Sequence, residues 1–344
     1  MSDLVLVTGA SGYMAWHIIS ELVGHGYRVR GTVRSLARSG TLPHLPEVEL
    51  VEADLTSDAG WAAAVADCRY VVHTASPFPP SEPKHEDELV RPAVDGTLRV
   101  LRAAAEAGVE RVVLTSSIAA VRVGHTGDRV LTEDDWSKPQ ACNAYEKSKT
   151  LAERAAWDFA DAHPELELAV INPGMILGPI QYPEVRTSVD GIRILLAGDM
   201  PGAPRLNFAT VDVRDLAVAH RLAMTNPAAA GNRHICAGQE ISLPDMARIL
   251  ATRYRVPTRA LPDWLVRLAA RFNPSATLAA RYLGRRELLS AAKTERELGW
   301  TMRPIEQTLF DTAESLIRLG VVTDPGAPRA HTPRKAPRPQ TASA

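Results

Sequence analysis

The chain has 344 residues, with 40 acidic and 39 basic side chains and a formal net charge of −1. That length can bury a large core, as one domain or two intimate lobes. The charge balance gives no footing for nucleic acid or an anionic membrane, and no apolar stretch approaches membrane-spanning length. Cys68, Cys142 and Cys236 stand far apart with no Cys-x-x-Cys, so neither a zinc site nor a disulfide framework is expected. The sequence starts without a basic region and apolar signal segment, and a reducing, cytoplasmic location is the expectation.

The first element is a buried parallel strand, the apolar run Leu4-Val5-Leu6-Val7. Thr8-Gly9-Ala10-Ser11-Gly12-Tyr13-Met14-Ala15 follows, a Gly-x-x-Gly-x-x-Ala turn. Gly9 lets the backbone turn tightly, Gly12 admits a bulky group, and Ala15 lets the next helix pack on the strand. That helix is read over 15–24, with Ile18, Ile19, Leu22 and Val23 on one face. Its free N–H groups and dipole suit a pyrophosphate. A glycine turn says little by itself. Its place between strand and helix, heading an alternating β/α pattern, points to a dinucleotide. Gly9, Ser11, Gly12, Tyr13 and Met14 are its cofactor-binding residues.

The second strand, Arg28–Val33, runs into Arg34. An acidic residue there would bond the adenosine 2′-hydroxyl. Arg34 stands in its place, with Arg38 just beyond, and guanidinium forks suit a 2′-phosphate. NADP(H) is therefore expected over NAD, the plainer alternative being two solvated loop charges. A third strand, 48–53, ends in Asp54-Leu55, where Asp54 reads as the N-cap of a helix over 56–65. After a fourth strand, Tyr70–His73, the small residues Thr74, Ala75 and Ser76 leave room for the cofactor, and His73 reads as structural. Residues 79–85 form a Pro- and charge-rich loop. A helix over 87–107 carries Leu89, Val94, Leu98, Leu101 and Ala105 as an apolar stripe, core by default or else a dimer face, so monomer and homodimer both stay open.

The fifth strand, Arg111–Thr115, ends at Ser116-Ser117. Within the turn-rich segment 124–141, Glu133, Asp134 and Asp135 read as solvating and capping a surface loop rather than binding a metal. A helix over 143–160 then carries Tyr145 and Lys149, four apart on one face. An ammonium beside a phenol lowers the tyrosine pKa and makes it a usable acid or base near neutral pH. A strand-end serine hydroxyl can donate to a substrate carbonyl oxygen as negative charge grows there. A sixth strand over 167–172 leads into Pro173-Gly174. Beyond 179 the alternation breaks into helical patterns at 189–197, 243–254, 264–271, 278–283 and 305–319, with a strand entering an Asp212-capped helix over 207–217. Phe78, Ile118, Met175 and Tyr182 are candidate walls of a substrate pocket, or ordinary core. The stretch 324–344 has no apolar period and is expected to be disordered.

The chain resembles an extended short-chain dehydrogenase/reductase, within the group of dihydroflavonol, cinnamoyl-CoA and yeast-type carbonyl reductases. The resemblance rests on the turn through Ala15, His73 to Phe78, Leu114 to Ser117, Tyr145 through Phe159, Asn172-Pro173-Gly174 and Val211 to Asp215. It implies Ser117 (rather than Ser116), Tyr145 and Lys149 as the catalytic trio, and Lys149 also on the nicotinamide ribose. It places Asp54 and Leu55 at the adenine, Pro173 at the nicotinamide, and Arg34 and Arg38 at the 2′-phosphate. The fold implied is a Rossmann-type doubly wound parallel α/β sheet over 1–179, with a returning segment near 205–225 and a smaller, mostly helical substrate lobe over 180–323. The activity implied is NADPH-dependent reduction of a ketone or aldehyde. A sugar-nucleotide epimerase or dehydratase, a hydroxysteroid dehydrogenase and a non-enzymatic NADP(H) sensor are the alternatives. Asn143-Ala144-Tyr145-Glu146-Lys147-Ser148-Lys149 departs from the Asn-Trp-Tyr-Cys-Tyr signature of the cinnamoyl-CoA enzymes, which argues against a CoA thioester.

Overall fold

The structure, a computed structural model, describes residues 2–37, 48–77, 83–183, 188–238, 240–272 and 274–328. Arg38, Phe78, most of the loop at 79–85 and the part of the expected tail from 329 onward lie outside the described residues.

β1 (Leu4–Thr8) is buried at every position and lies inside the main sheet. To one side run α1 (Tyr13–Gly24), β2 (Arg28–Val33) and β3 (Val48–Glu52). To the other run α2 (Trp61–Val65), β4 (Tyr70–His73), α3 (Asp87–Glu106), β5 (Arg111–Thr115), α4 (Ala144–Ala162) and β6 (Glu167–Pro173). Next come β7 (Met175–Leu177), α5 (Asp190–Ala197), β8 (Ala203–Pro204), β9 (Asn207–Asp212) and α6 (Val213–Thr225). β10 (Asn232–Cys236) then returns to the main sheet. β11 (Glu240–Ser242), α7 (Leu243–Leu250), β12 (Ala260–Leu261), α8 (Asp263–Ala269), α9 (Pro274–Tyr282), α10 (Ala292–Leu298) and α11 (Ile305–Arg318) complete the chain.

The seven main strands run in the order β10-β6-β5-β4-β1-β2-β3, and every pair is parallel. One face is closed by an apolar cluster that includes Ile18, Ile19 and Leu22 of α1 and Leu216 and Ala219 of α6. The other is closed by a cluster that includes Ala64 of α2, Leu101 of α3 and Ala156 of α4. The architecture is a doubly wound Rossmann-type α/β sheet. Strand order reverses beside β1, which opens a crevice at the C-terminal strand ends. Beyond this sheet, β9 lies between β7 and β11, and α5, α7 and α11 pack around Leu177, Ile192, Leu195, Met246 and Leu309.

Three expectations are corrected. The helix expected over 56–65 begins only at Trp61. Asp54 instead closes a turn on Thr56, and Gly60 holds φ +87 where a Cβ would lie 2.2 Å from the Glu52 carbonyl oxygen. The stripe on α3 is only in part the buried face: Leu89 and Leu101 are buried as expected, but other positions are not. Val94 and Leu98 are half-exposed, while Ala93, Gly96, Thr97 and Val100 are buried. Gly96 sets this face, because a Cβ there would lie 2.9 Å from Leu55 Cβ. The 124–141 segment is not a solvated loop at Glu133. That side chain is buried and accepts the Ile235 N–H at 3.0 Å, while Arg233 donates to the carbonyl oxygens of Glu133 and Asp135.

Candidate active site

β1 and β4 end side by side, and a single hydroxyl ties their loops together. Thr8 Oγ1 accepts the N–H groups of Thr74 at 3.1 Å and Ala75 at 3.0 Å, and sits 2.8 Å from His73 Nδ1. With both lone pairs of Thr8 used, its proton goes to Nδ1, which leaves the His73 proton on Nε2. Burial holds the His73 pKa down at about 3, with the Lys149 charge acting in the same direction. His73 is therefore a neutral structural residue, as read from the sequence.

The glycine turn lies against this pair of strand ends. Gly9 has φ +70, and a Cβ on it would meet Ala75 Cβ at 3.1 Å. Its N–H is donated to Thr32 Oγ1 at 3.0 Å, and the Ala10 N–H to the Thr32 carbonyl at 2.8 Å. The turn is thus anchored on β2 two residues before Arg34. Gly12 is the N-cap of α1, no side chain caps that end, and the first turn holds no acidic residue. Uncapped N–H groups at a positive helix end, with no carboxylate to repel an anion, fit a dinucleotide pyrophosphate. Ser11 and Gly12 are exposed there, with Tyr13 and Met14 half-buried. Arg34 is exposed at the end of β2. Asp54, at the neighbouring strand end, is half-buried, and its bonds from Thr56 hold its pKa below the usual value. Leu55 packs on α3 instead of projecting freely.

α4 begins with a capping box: Asn143 Oδ1 accepts the Glu146 N–H at 2.9 Å, and Glu146 accepts the Asn143 N–H at 3.0 Å. This fixes where Tyr145 leaves the helix. Ser117 is the N-cap of a short 3-10 turn, Ile118–Ala120; its hydroxyl accepts the Ala119 N–H at 3.1 Å and lies near enough to the Tyr145 phenol to favour its ionised form. Ser116 points elsewhere. Its hydroxyl donates to Glu153 at 2.5 Å in the interior. Of the two serines, Ser117 is the one brought to the tyrosine. Lys149 Nζ donates to the Thr115 carbonyl at 3.3 Å, one turn along α4.

The electrostatics depart from expectation. Burial pushes the Tyr145 phenol above its ordinary pKa, with the nearby Ser117 hydroxyl and the Arg122 charge pulling the other way and Glu146 adding to the rise. Lys149 is not what moves it in the chain alone. Burial lowers Lys149 itself to about 8, with Glu153 opposing that fall.

Pro173 closes β6 in the interior, and the Gly174 N–H reaches the Cys236 carbonyl at 3.0 Å. Met175 is half-buried on β7, beside the apolar cluster under α5 and α7. Of the candidate substrate walls, Ile118 takes the core alternative and Tyr182 reaches the glycine turn. Ile118 is 5 % exposed and packs with Val121, Leu131, Ala209 and Ile235, because the 3-10 turn aims it inward. Tyr182 donates its hydroxyl to the Ser11 carbonyl at 2.6 Å, which puts it on the glycine turn. Among the described residues no His, Cys, Asp and Glu group could hold a metal ion, and no helix is long and apolar enough to cross a membrane.

Sequence reasoning overlooked the charges packed around α4. Glu153 is 1 % exposed, accepts from Ser116 and from Asn172 Nδ2 at 2.8 Å, and is ion-paired to Arg233 at 2.5 Å. Arg122 lies between the buried Glu146 and Glu287, at 3.3 and 3.2 Å. The repeat Tyr145, Lys149, Glu153 at intervals of four was the available signal for the first of these.

The model of the NAD dependent epimerase/dehydratase family matches residues 5–238. The chain belongs to this family. It is an oxidoreductase of the extended short-chain type. Cinnamoyl-CoA reductase 1 of Petunia hybrida is 35 % identical over 336 residues, covering 92 % of this chain and 93 % of that one. Tetraketide alpha-pyrone reductase 1 of Arabidopsis thaliana is 32 % identical over 341 residues, covering 93 % and 97 %. Among solved structures, yeast methylglyoxal/isovaleraldehyde reductase Gre2 complexed with NADPH superposes with a TM-score of 0.75 at 27 % identity, over 92 % of this chain and 99 % of that one. Vestitone reductase from alfalfa gives a TM-score of 0.72 at 25 % identity, over 93 % and 100 %.

Proposed function

We propose that this oxidoreductase reduces a ketone or aldehyde to the alcohol, with NADPH as the preferred cofactor. The observation that carries the reading is the convergence of Ser117 and Tyr145 at the C-terminal edge of the sheet, with Lys149 one turn away. The uncapped N-terminus of α1 would hold the pyrophosphate, and Arg34 the 2′-phosphate. Residues 1–179 with α6 and β10 serve the dinucleotide, and the lobe within 180–323 serves the substrate. When bound, the nicotinamide supplies hydride to the carbonyl carbon. Ser117 Oγ then donates to the carbonyl oxygen as it gains charge, and the Tyr145 hydroxyl delivers the proton. A raised phenol pKa suits that direction, since the proton starts on the tyrosine. The Lys149 ammonium stabilises the phenolate that remains.

NADPH and NADH consumption against α-diketones, aryl ketones, aldehydes, dihydroflavonols and a CoA thioester tests this. Turnover with NADPH that Tyr145→Phe removes is the expected result. Arg34→Ala should weaken NADPH by roughly 10- to 100-fold and leave NADH almost unchanged, as loss of a charge-assisted bond predicts. Tight NADPH binding without turnover on any carbonyl would sink the reading and move it to a nucleotide-sugar or steroid substrate.

A further inference from the structure

Tyr145, Lys149 and Glu153 repeat every four residues and so share one face of α4. The first two belong to the proposed chemistry. The third is a carboxylate in the interior, where an ion without partners is costly. Glu153 has three partners from three strands or their ends: Ser116 after β5, Asn172 of β6 and Arg233 of β10. Arg233 is itself held over the Trp136 ring at 3.8 Å and by two backbone carbonyls. Asn172 Nδ2 also donates to the Ser117 carbonyl at 3.2 Å. The bonds that satisfy Glu153 therefore grip the backbone that carries Ser117.

On its other side Glu153 shares a small cavity with Lys149, walled by Ala75, Ser76, Thr97 and Ser116. We infer that Glu153 is a positioning residue of this site: its buried carboxylate, paired to Arg233, aims Ser117 and holds the Lys149 ammonium from one turn below. Among the described residues, few groups face Lys149. They are Tyr145 and Glu153 on its own helix, neutral Thr97 on α3, neutral His73 on β4 and the Thr115 carbonyl on β5. Arg233 stands behind Glu153 on β10. Of these, Glu153 alone offers a carboxylate, and it opposes the burial that brings Lys149 to about 8. Removing its charge leaves that burial unopposed, so the ammonium is lost at lower pH.

The inference rests on Lys149 having the role proposed above, but its test needs no substrate. The chain has six lysines, so 13Cε-lysine labelling gives a readable NMR titration, with the Lys149 signal assigned by its loss in Lys149→Arg. Glu153→Gln should move the Lys149 midpoint about one pH unit toward acid. Glu153→Asp, which keeps the charge, should leave it near the wild-type value. Because Glu153→Gln strands Arg233, the double variant Glu153→Gln/Arg233→Gln is titrated too, with an acid shift again expected. A Lys149 midpoint unmoved in the glutamine variants would overturn the inference, and so would failure of all three variants to fold, which would assign Glu153 to stability alone. A carbonyl panel without turnover would defeat the proposed reaction and leave the midpoint shift standing.

Discussion

Helix α4 is gripped at two levels by buried charge, and the two grips differ. At its start, Arg122 bridges Glu146 and Glu287, and Tyr282 donates to Glu146 at 3.2 Å. That cluster reaches into the C-terminal lobe, with contacts of 3.2–3.3 Å and burial pushing the Glu287 carboxyl up. Two turns further on, Glu153 is bonded at 2.5–2.8 Å to groups that all belong to the main sheet. The looser grip joins the tyrosine to the side where substrate would enter. The tighter one joins it to the strands that place Ser117 and Lys149. A buried pair is weak support for stability, and the tighter of the two here lies beside Ser117 and Lys149.

The comparison can be broken at several points. The largest effect should come from Tyr145→Phe, the residue both grips position: kcat should fall by on the order of 10²- to 10⁴-fold with NADPH binding retained, as fluorescence titration would show. Next is Arg233→Met, which leaves the buried Glu153 without its cationic partner. Urea unfolding should show a loss of about 3–5 kcal/mol. Arg122→Met should cost less, about 1–3 kcal/mol, because Glu287 can take up a proton when its partner goes. Equal losses for the two arginines would erase the distinction.

Acid separates the two sides as well. His17, His73 and His220, in α1, β4 and α6, are held neutral by burial at about 4, 3 and 4. A depressed pKa contributes stability above the usual value of 6.5 that is lost as pH falls toward the folded value. Glu287 on the lobe side has the opposite sign. Its contribution is present below the usual 4.5 and is lost as pH rises through its raised pKa. The melting temperature should therefore fall between pH 7 and 4.5, with hydrogen exchange rising in the sheet before the lobe. The smallest effect is expected from Tyr182→Phe, which removes one exposed bond to Ser11. NADPH affinity should drop by roughly 2- to 10-fold, the scale of a single neutral hydrogen bond.

The first six strands of the main sheet, and the nearness of Ser117, Tyr145 and Lys149 to one another, were legible because they rest on local pattern. The run at Leu4, the glycines after it and the interval from Tyr145 to Lys149 each follow from neighbours in sequence. The capping box that starts α4 could be read the same way from Asn143 and Glu146. What escaped notice depends on distant partners. β10 carries Arg233 and His234 into the sheet, where partners far away in sequence, Glu153 and Glu297 among them, make those side chains acceptable in a strand interior. Glu133 read as solvated because nothing near it shows that the Ile235 N–H awaits it. The Tyr145 pKa was misjudged for a related reason. Spacing reveals the neighbouring ammonium, but it is silent on how far the phenol is withdrawn from water.

The hydroxyl of Thr8 and the two bonds to Thr32 hold the glycine turn without help from the loop after β2. Among the described residues Arg34 makes no hydrogen bond or ion pair, and the nearby Leu36 N–H is held by Glu52 at 2.7 Å. On the reading proposed above, cofactor choice is a module at the rim. A redesign from NADPH toward NADH, or drift in that direction, could rewrite one exposed side chain and leave the rest of the machine untouched.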